Sequence, residues 1–283
     1  MAIDLTQMQH PLGLRRLGYA SPLLEVPARR WEGGRAQERM EQVAEETPVA
    51  IVYNGIPHVV MMATPSDLED FALGFSITEE LIRTPADLHS VQVVRYGQGI
   101  EIQAMVSPDC EGTIASRNRR LTGRTGCGIC GMESIEGVLK QLHPVTSSAT
   151  VTTAAVENAC RTLVGHQTLN SAAGAVHAAG WASREGEIQL AREDVGRHNA
   201  LDKLIGAMLG RGVKPESGFL VVTSRASFEM VQKATVFGAS LLVAVSGPTG
   251  LAVRIAEHAG LTLVGFARAS RLTVYTHGER LTS

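Results

Sequence analysis

The chain has 283 residues, of which 44% are hydrophobic and 19% charged, and this globular composition excludes a wholly disordered protein. Its net charge of -2 gives no general attraction to nucleic acid, and aromatic residues at 4% are too scarce for a surface that stacks many bases. No stretch has the length and apolarity of a membrane span, and residues 1–46 lack the apolar core of a signal peptide. We therefore expect a cytoplasmic protein without a nucleic-acid or membrane partner.

The N-terminal part predicts two hairpins and a helix after an irregular arm. Residues 1–46 are polar and rich in arginine, and they predict an irregular N-terminal arm. Strands 49–53 and 56–62 flank Asn54-Gly55, the strongest short hairpin signal, and strands 91–96 and 100–106 predict a second hairpin. Between the hairpins, Ser66-x-x-Glu69 has the pattern of a capping box before an amphipathic helix. This part of the chain is predicted to consist of antiparallel strands with a helix.

A CxxC motif ends a segment without helical or strand periodicity. Residues 107–131 are rich in Gly, Arg, Ser and Thr and predict a long loop that ends at Cys127-Gly-Ile-Cys130. A helix is predicted over 135–142, and its positive end and the arginines of the loop favour thiolates. A nucleophilic or sulfur-carrying pair is the leading interpretation, while a metal site, a redox pair and a structural pair stay open.

The two other cysteines carry weaker signals. Cys160 lies on the apolar stripe of a predicted helix, where a core role is expected. Cys110 stands between Asp109 and Glu111, whose negative charges oppose its ionisation. Four cysteines in a chain of this size do not suggest a disulfide framework.

The C-terminal part predicts strands that alternate with helices, which indicates an α/β layer with a largely parallel sheet. In such a sheet, ligands bind at the carboxyl ends of the strands. Four polar segments follow predicted strands, and their arginines and helix N-termini predict a phosphate site. The candidates on these segments are Arg197, His198, Ser224, Arg225 and residues 266–271.

Several common motifs do not fit. Neither a Walker A sequence nor a GxGxxG fingerprint is present, which argues against a P-loop or a standard dinucleotide site. The H-x-E at His277 lies after the CxxC, the wrong order for a zinc deaminase. His198 fits three roles equally well: a general base, a donor to phosphate, or a residue satisfied locally at a helix start.

These segments together resemble the formate dehydrogenase accessory sulfurtransferase family (FdhD-like proteins). The similarity runs from about residue 48 to residue 276 and rests on a few specific segments. They are residues 67–80, Arg124-Thr-Gly-Cys-Gly-Ile-Cys-Gly131, Glu193-Asp-Val-Gly-Arg-His-Asn-Ala-Leu-Asp-Lys203, Ser224-Arg-Ala-Ser-Phe-Glu229 and Gly265-Phe-Ala-Arg268.

The resemblance implies a sulfurtransferase with a cysteine persulfide intermediate. Cys127 would carry sulfur taken from a cysteine desulfurase, and Cys130 would assist its transfer to the molybdenum (or tungsten) bis-pterin guanine dinucleotide cofactor of formate dehydrogenase. This cofactor would be cargo, and neither a permanently bound cofactor nor a metal site is expected. It would contact the loop formed by Phe266, Ala267, Arg268, Ala269, Ser270 and Arg271.

The resemblance also implies a homodimer and a fold of the cytidine-deaminase-like type, a three-layer α/β sandwich without the deaminase zinc site. We expect three segments: an irregular arm at 1–46, an α+β domain at 47–148 that includes the CxxC loop and its helix, and the α/β domain at 149–283. The alternative function is a non-enzymatic molybdenum-cofactor chaperone in which the CxxC shapes the loop or holds a metal.

Overall fold

The computed structural model describes residues 21–97, 99–121, 144–147, 149–268 and 271–283. It begins with a two-stranded antiparallel hairpin formed by strands β1 (Leu23–Glu32) and β2 (Arg35–Ala44). The prediction of an irregular arm is therefore wrong for residues 23–44. The sequence did not reveal the hairpin because neither strand has the apolar alternation of a half-buried strand, and none of its residues is buried.

A four-stranded sheet follows, with the order β4-β3-β6-β5. Its strands are β3 (Thr47–Tyr53), β4 (Ile56–Ala63), β5 (Leu88–Tyr96) and β6 (Gly99–Val106). Both predicted hairpins are confirmed, and Asn54 (φ 48) and Gly55 (φ 80) have the positive φ angles of a tight hairpin turn. The sheet is not purely antiparallel, because β3 and β6 pair in parallel.

Two helices accompany this sheet, α1 (Leu68–Thr78) and α2 (Glu111–Leu121). The predicted capping box is wrong: the residue that caps α1 is Asp67, which makes no capping hydrogen bond through its side chain. Helix α2 replaces part of the loop predicted over 107–131. It lacks an apolar stripe, with Ile114 buried but most of its neighbours polar, so periodicity could not indicate it.

The C-terminal part forms a six-stranded sheet with the order β13-β12-β11-β10-β8-β9. Its strands are β8 (His177–Ser183), β9 (Ile188–Asp194), β10 (Gly218–Val222), β11 (Leu241–Ala244), β12 (Thr262–Arg268) and β13 (Arg271–Thr276). The short strands β7 (Val151–Thr152) and β14 (Leu281–Thr282) pair beside it. The alternation of strands and helices is confirmed, but the sheet is mixed, with only the β10–β11 and β11–β12 pairings parallel.

Helices cover both faces of this sheet. One apolar core joins residues of α5 (Arg197–Gly210), α6 (Phe228–Phe237) and α7 (Gly250–Ala259) to one face, and a second core joins α3 (Thr153–Leu163) to the other. Helix α4 (Thr168–Ala173) precedes β8. The α/β class is confirmed, with three layers. No helix within the described ranges is long and apolar enough to cross a membrane.

Helix α1 of the N-terminal part packs tightly on α5 of the C-terminal part. Two glycines face each other at the crossing: a Cβ atom on Gly74 would lie 1.7 Å from the Asp202 carbonyl oxygen, and one on Gly206 would lie 1.8 Å from the Asp70 carbonyl oxygen. Only residues without a side chain allow the two backbones to approach so closely. The crossing therefore fixes α1 and its sheet against the α/β layers.

Candidate functional site

Four strands end at one edge of the six-stranded sheet, as the sequence predicted. β10, β11 and β12 run parallel, and β9 has the same direction because β8 runs opposite to both β9 and β10. We call this the carboxyl edge, formed by residues 194–198, 223–229, 245–249 and 265–268. The sheet thus gathers polar segments that are far apart in sequence.

Hydrogen bonds join neighbouring segments of the carboxyl edge. His198 Nε2 lies 3.5 Å from Ser227 Oγ, and the Thr249 amide donates to the Ala226 carbonyl at 3.0 Å. At the other end, the Phe266 amide donates to the Ser246 carbonyl at 3.1 Å. The four segments therefore form one continuous surface.

Most charged residues of segment 193–203 are structural. Asp194 is fully buried and accepts hydrogen bonds from the amides of Gly196 (2.7 Å) and Thr64 (3.0 Å). Its charged partner is the fully buried Lys203, whose Nζ lies 2.6 Å from the Asp194 carboxylate and donates to the Thr64 carbonyl at 2.8 Å. Burial lowers the pKa of Lys203, and the Asp194 carboxylate opposes that shift. The pair fixes the N-terminus of α5 against the turn after β4.

A second buried group is built around Asp202, the residue that precedes Lys203 in α5. Lys233 of α6 donates to Asp202 (3.0 Å), Glu79 (2.7 Å) and the Thr78 hydroxyl (3.0 Å). Burial raises the pKa of Asp202 to about 6, and the two carboxylates, acting against burial, raise that of Lys233. Together with Asp194 and Lys203, this group joins α1, α5 and α6.

Arg197 and His198 remain available for binding. They are the first two residues of α5, and both are partly exposed. Within the described ranges, the Arg197 Nε atom is buried and lacks a hydrogen-bond partner. His177, at the start of β8, has a pKa lowered by burial and by Arg197. A guanidinium at a helix N-terminus suits an anionic group.

His198 is neutral at pH 7. Burial, with smaller contributions from Arg197 and Lys233, lowers its pKa to about 4, although Glu229 lies 3.8 Å away and opposes the shift. Its neighbour Ser227 donates to Glu229 at 2.7 Å. The ring therefore offers a hydrogen bond and no positive charge, and the three predicted roles stay open: a general base, a donor to phosphate, or a residue satisfied locally at the helix start.

The pKa of His198 predicts acid sensitivity. The pKa of His198 is lower in the folded chain than its ordinary value of about 6.5, so unfolding takes up a proton between pH 6.5 and pH 4. The free energy of unfolding therefore decreases as the pH is lowered through that window. In the wild type, His198 should lower the free energy of unfolding by on the order of 2 kcal/mol between pH 7 and pH 4.5, after allowance for the partly exposed ring. His198→Asn should abolish this contribution. Urea unfolding at pH 7 and pH 4.5 measures the difference. An equal loss in the variant and the wild type would contradict this prediction.

Phe266 is held in a strained conformation beside a glycine. Its φ of 52 lies in the left-handed region, which costs about 1–2 kcal/mol for a residue with a side chain. The ring lies against Gly247, where an added Cβ atom would approach its Cζ atom to 2.6 Å. Even so, 42% of the residue is exposed. The site thus displays an aromatic ring supported by backbone.

The other predicted residues of the carboxyl edge differ in exposure. Arg268 is exposed at the end of β12, where its Nε donates to the Val245 carbonyl at 3.1 Å. Arg271, also exposed, is opposite Arg268 in the strand register of the β12–β13 hairpin. Arg225 is exposed, while Ala267 is buried and Ser224 is buried with its hydroxyl on the Arg225 carbonyl. A direct ligand contact through either buried side chain is disfavoured. Ala269 and Ser270 lie outside the described residues.

The CxxC motif lies outside the described residues, as does the helix predicted over 135–142. The two other cysteines are buried, and burial raises the pKa of both thiols, that of Cys160 to about 11. The core role predicted for Cys160 is confirmed, and the carboxylates of Asp87 and Asp109 add to the shift of Cys110. Neither of these thiols is suited to nucleophilic chemistry at pH 7.

Sequence reasoning did not predict the contacts that support the site. Glu193 accepts hydrogen bonds from the first turn of α4, from the amides of Leu169 (2.8 Å) and Asn170 (2.9 Å). Glu79 and Lys233 meet only through the packing of α1 on α6, and no local pattern indicates that contact. Among the described residues, no group of three or more His, Cys, Asp or Glu side chains is arranged to hold a metal ion.

Comparison with known proteins agrees with this architecture. The chain matches the FdhD/NarQ family over residues 44–282 and therefore belongs to that family. Proteins named sulfur carrier protein FdhD are 49% identical to it in Bordetella petrii, over 87% of this chain and 88% of the relative, and in Xanthomonas axonopodis pv. citri, over 89% and 90%. The crystal structure of a protein named as a candidate formate dehydrogenase accessory protein from Desulfotalea psychrophila superposes with a TM-score of 0.73. It is 25% identical and covers 92% of this chain and 99% of its own.

Proposed function

We propose that this chain is a sulfur carrier that accepts persulfide sulfur on Cys127 from a cysteine desulfurase. It passes the sulfur to the molybdenum (or tungsten) bis-pterin guanine dinucleotide cofactor, which formate dehydrogenase requires. The observation that carries the proposal is the family match over residues 44–282, since it spans both the CxxC segment and the carboxyl edge. The shared name of the curated relatives supports the sulfur-carrying role.

The chemistry of the first step is a displacement. The Cys127 thiolate attacks the outer sulfur of the donor's persulfide, a new sulfur–sulfur bond forms, and the donor's cysteine leaves as a thiolate. In the second step the Cys130 thiolate attacks the inner sulfur of the Cys127 persulfide and releases hydrosulfide to the cofactor. The disulfide left between Cys127 and Cys130 is then reduced by a dithiol of the thioredoxin class.

The contrast among the four cysteines supports this assignment. Burial and nearby carboxylates suppress the thiolates of Cys110 and Cys160. Cys127 and Cys130 instead follow arginines in sequence and are flanked by glycines, a setting that favours a reactive thiolate.

The carboxyl edge provides the features that a guanine dinucleotide requires. Arg197, Arg225, Arg268 and Arg271 supply guanidinium groups for its phosphates, and the N-termini of α5, α6 and α7 supply amides. Phe266 offers a ring on which guanine can stack. A cytoplasmic homodimer with a cytidine-deaminase-like C-terminal fold completes the proposal.

Stacking on Phe266 predicts a measurable loss of nucleotide binding. Phe266→Ala is expected to weaken binding of guanosine diphosphate, a probe for the nucleotide part of the cofactor, by about 5- to 150-fold, which corresponds to the loss of one stacked base. Gly247→Ala should also weaken binding, because its Cβ atom displaces the ring without removing it. Isothermal titration calorimetry measures the affinities.

Gly210→Ala is the control, since an added Cβ atom there has no atom within 4 Å and Gly210 is at the opposite end of α5 from the carboxyl edge. Its affinity should equal that of the wild type. If Phe266→Ala bound guanosine diphosphate as tightly as the wild type, the proposal that guanine stacks on Phe266 would be contradicted.

The alternative is a non-enzymatic chaperone that binds the cofactor and uses the CxxC to shape the loop or hold a metal. Formate dehydrogenase activity of cells that lack their own copy of this protein separates the two. We expect the wild type and Cys160→Ala to restore activity and Cys127→Ala to leave less than about 1% of it, because Cys130 alone cannot form the disulfide that releases the sulfur. Restoration by Cys127→Ala, or stoichiometric zinc or iron bound through Cys127 and Cys130, would favour the chaperone.

A further inference from the structure

Helix α2 leads into the CxxC segment and is held largely by polar contacts. Of residues 111–117, only one is buried. The start of the helix is fixed by Asn54, whose Nδ2 donates to the Glu111 carboxylate at 2.8 Å. Six residues further along, Arg117 Nη2 lies 3.5 Å from the Glu80 carboxylate. Among the residues whose side chains are described, this ion pair is the contact of α2 that lies closest in sequence to the CxxC motif.

Glu80 is held in a conformation that a residue with a side chain adopts rarely. It follows the end of α1, and its φ of 53 lies in the left-handed region. Glycine is the usual residue at such a position, since it has no Cβ atom to clash with the backbone. The Glu80 amide donates to the Ile77 carbonyl at 2.8 Å, which fixes the turn. A carboxylate on this turn has a use that glycine could not supply, and the ion pair with Arg117 is such a use.

The neighbouring Glu79 ties the same turn to the C-terminal part of the chain. Its carboxylate accepts a hydrogen bond from Lys233 of α6 at 2.7 Å. Burial opposes ionisation of Glu79, but Lys233 and, to a smaller extent, Arg117 outweigh burial and lower the pKa of this carboxyl. Two consecutive glutamates at the end of α1 therefore connect α2 on one side with α6 on the other, and the N-terminus of α6 belongs to the carboxyl edge.

The length of chain on each side of the thiols makes α2 the closer constraint on their position. Leu121 is the last residue of α2 and precedes Cys127 by six residues, which span at most about 20 Å. On the other side, residue 144 follows Cys130 by fourteen residues, which allow about 50 Å. The orientation of α2 therefore limits which part of the molecule the thiols can reach.

We propose that the ion pair between Arg117 and Glu80 is a positioning contact for sulfur delivery, because it fixes the point from which the CxxC segment departs. The inference rests on the proposed function and gives a role to two residues outside the carboxyl edge. Loading of Cys127 does not need this contact, since the sulfur donor is a separate molecule that can follow the thiols wherever they lie. Delivery does need it, because hydrosulfide released away from the bound cofactor is lost to solvent, and a displacement of about 1 Å can cost on the order of 100-fold in a positioned reaction.

Separate measurements of loading and delivery test this role. Loading is the label on Cys127 after the purified protein is incubated with a cysteine desulfurase and cysteine labelled in its sulfur. Delivery is the formate dehydrogenase activity of cells that lack their own copy of this protein, compared at equal amounts of each variant. We expect Arg117→Glu to load at the wild-type rate and to lower delivery by about 10-fold or more. Lys214→Glu is the control, since it makes the same change of charge at an exposed residue and should leave both quantities unchanged.

Exchange of the two charges separates positioning from folding. Arg117→Glu/Glu80→Arg restores an ion pair and should recover most of the delivery that Arg117→Glu loses. Both side chains are partly exposed, so the pair adds little to global stability, and circular dichroism should show that every variant stays folded. Wild-type delivery by Arg117→Glu, a parallel loss of loading and delivery, or no recovery in the double variant would overturn the positioning role alone. A wild type that takes up no sulfur would overturn the proposed function and this role with it.

Discussion

Gly206→Ala is expected to destabilise the protein by about 3–5 kcal/mol, an exceptional effect for the addition of one methyl group. The new Cβ atom would lie 1.8 Å from the Asp70 carbonyl oxygen, which belongs to the backbone of α1 and cannot rotate away. Relief requires α1 and α5 to separate. That movement would also break the contacts of Lys233 and Asp202 with the end of α1.

Gly210→Ala is the matched control, because Gly210 lies in the same helix and has no atom within 4 Å of an added Cβ. This variant should be neutral or more stable by up to about 1 kcal/mol, since alanine loses less conformational entropy in a helix. Urea unfolding followed by circular dichroism measures both variants. A loss below about 1 kcal/mol in Gly206→Ala would show that the two helices do not cross as described.

Lys203→Met is expected to cost about 3–5 kcal/mol, because it leaves the fully buried Asp194 carboxylate without a counter-charge. The Thr64 carbonyl also loses its buried donor. Lys214→Met changes an exposed lysine and should stay within about 0.5 kcal/mol of the wild type.

The pairing itself is tested by a double variant. Asp194→Asn removes the unpaired charge, so Lys203→Met/Asp194→Asn should be more stable than Lys203→Met alone, with a coupling of about 1–3 kcal/mol. Additive losses would contradict the assignment of Lys203 as the partner of Asp194. Guanosine diphosphate binding should weaken in Lys203→Met, because the Asp194 carboxylate fixes the residues that precede Arg197.

The parts of the fold that local chemistry determines could be predicted from the sequence. The turn at Asn54 and Gly55 requires positive φ angles, and asparagine and glycine are the residues that adopt them most readily. The alternation of strands and helices after residue 150 is likewise visible in runs of apolar residues. These signals correctly placed the carboxyl edge and its arginines.

Long-range contacts could not be predicted in the same way. The parallel pairing of β3 with β6 joins segments about fifty residues apart, and nothing in either strand specifies it. The segment around Asp194 and Lys203 resembles a binding motif, yet its charges are mostly buried and paired within the fold. Phe266 was predicted as part of a loop, but its positive φ and its support by Gly247 follow from three-dimensional packing.

The measurement that tests the central claim most directly is the sulfur content of Cys127. The purified protein would be incubated with a cysteine desulfurase and cysteine labelled in its sulfur, then separated without reductant. We expect label on the wild type and on Cys160→Ala that a thiol reductant releases, and a mass increase of one sulfur atom on the peptide that contains Cys127. Cys127→Ala should carry no label. Absence of label on the wild type beside an active desulfurase, or equal labelling of Cys127→Ala, would contradict the sulfur-carrier account.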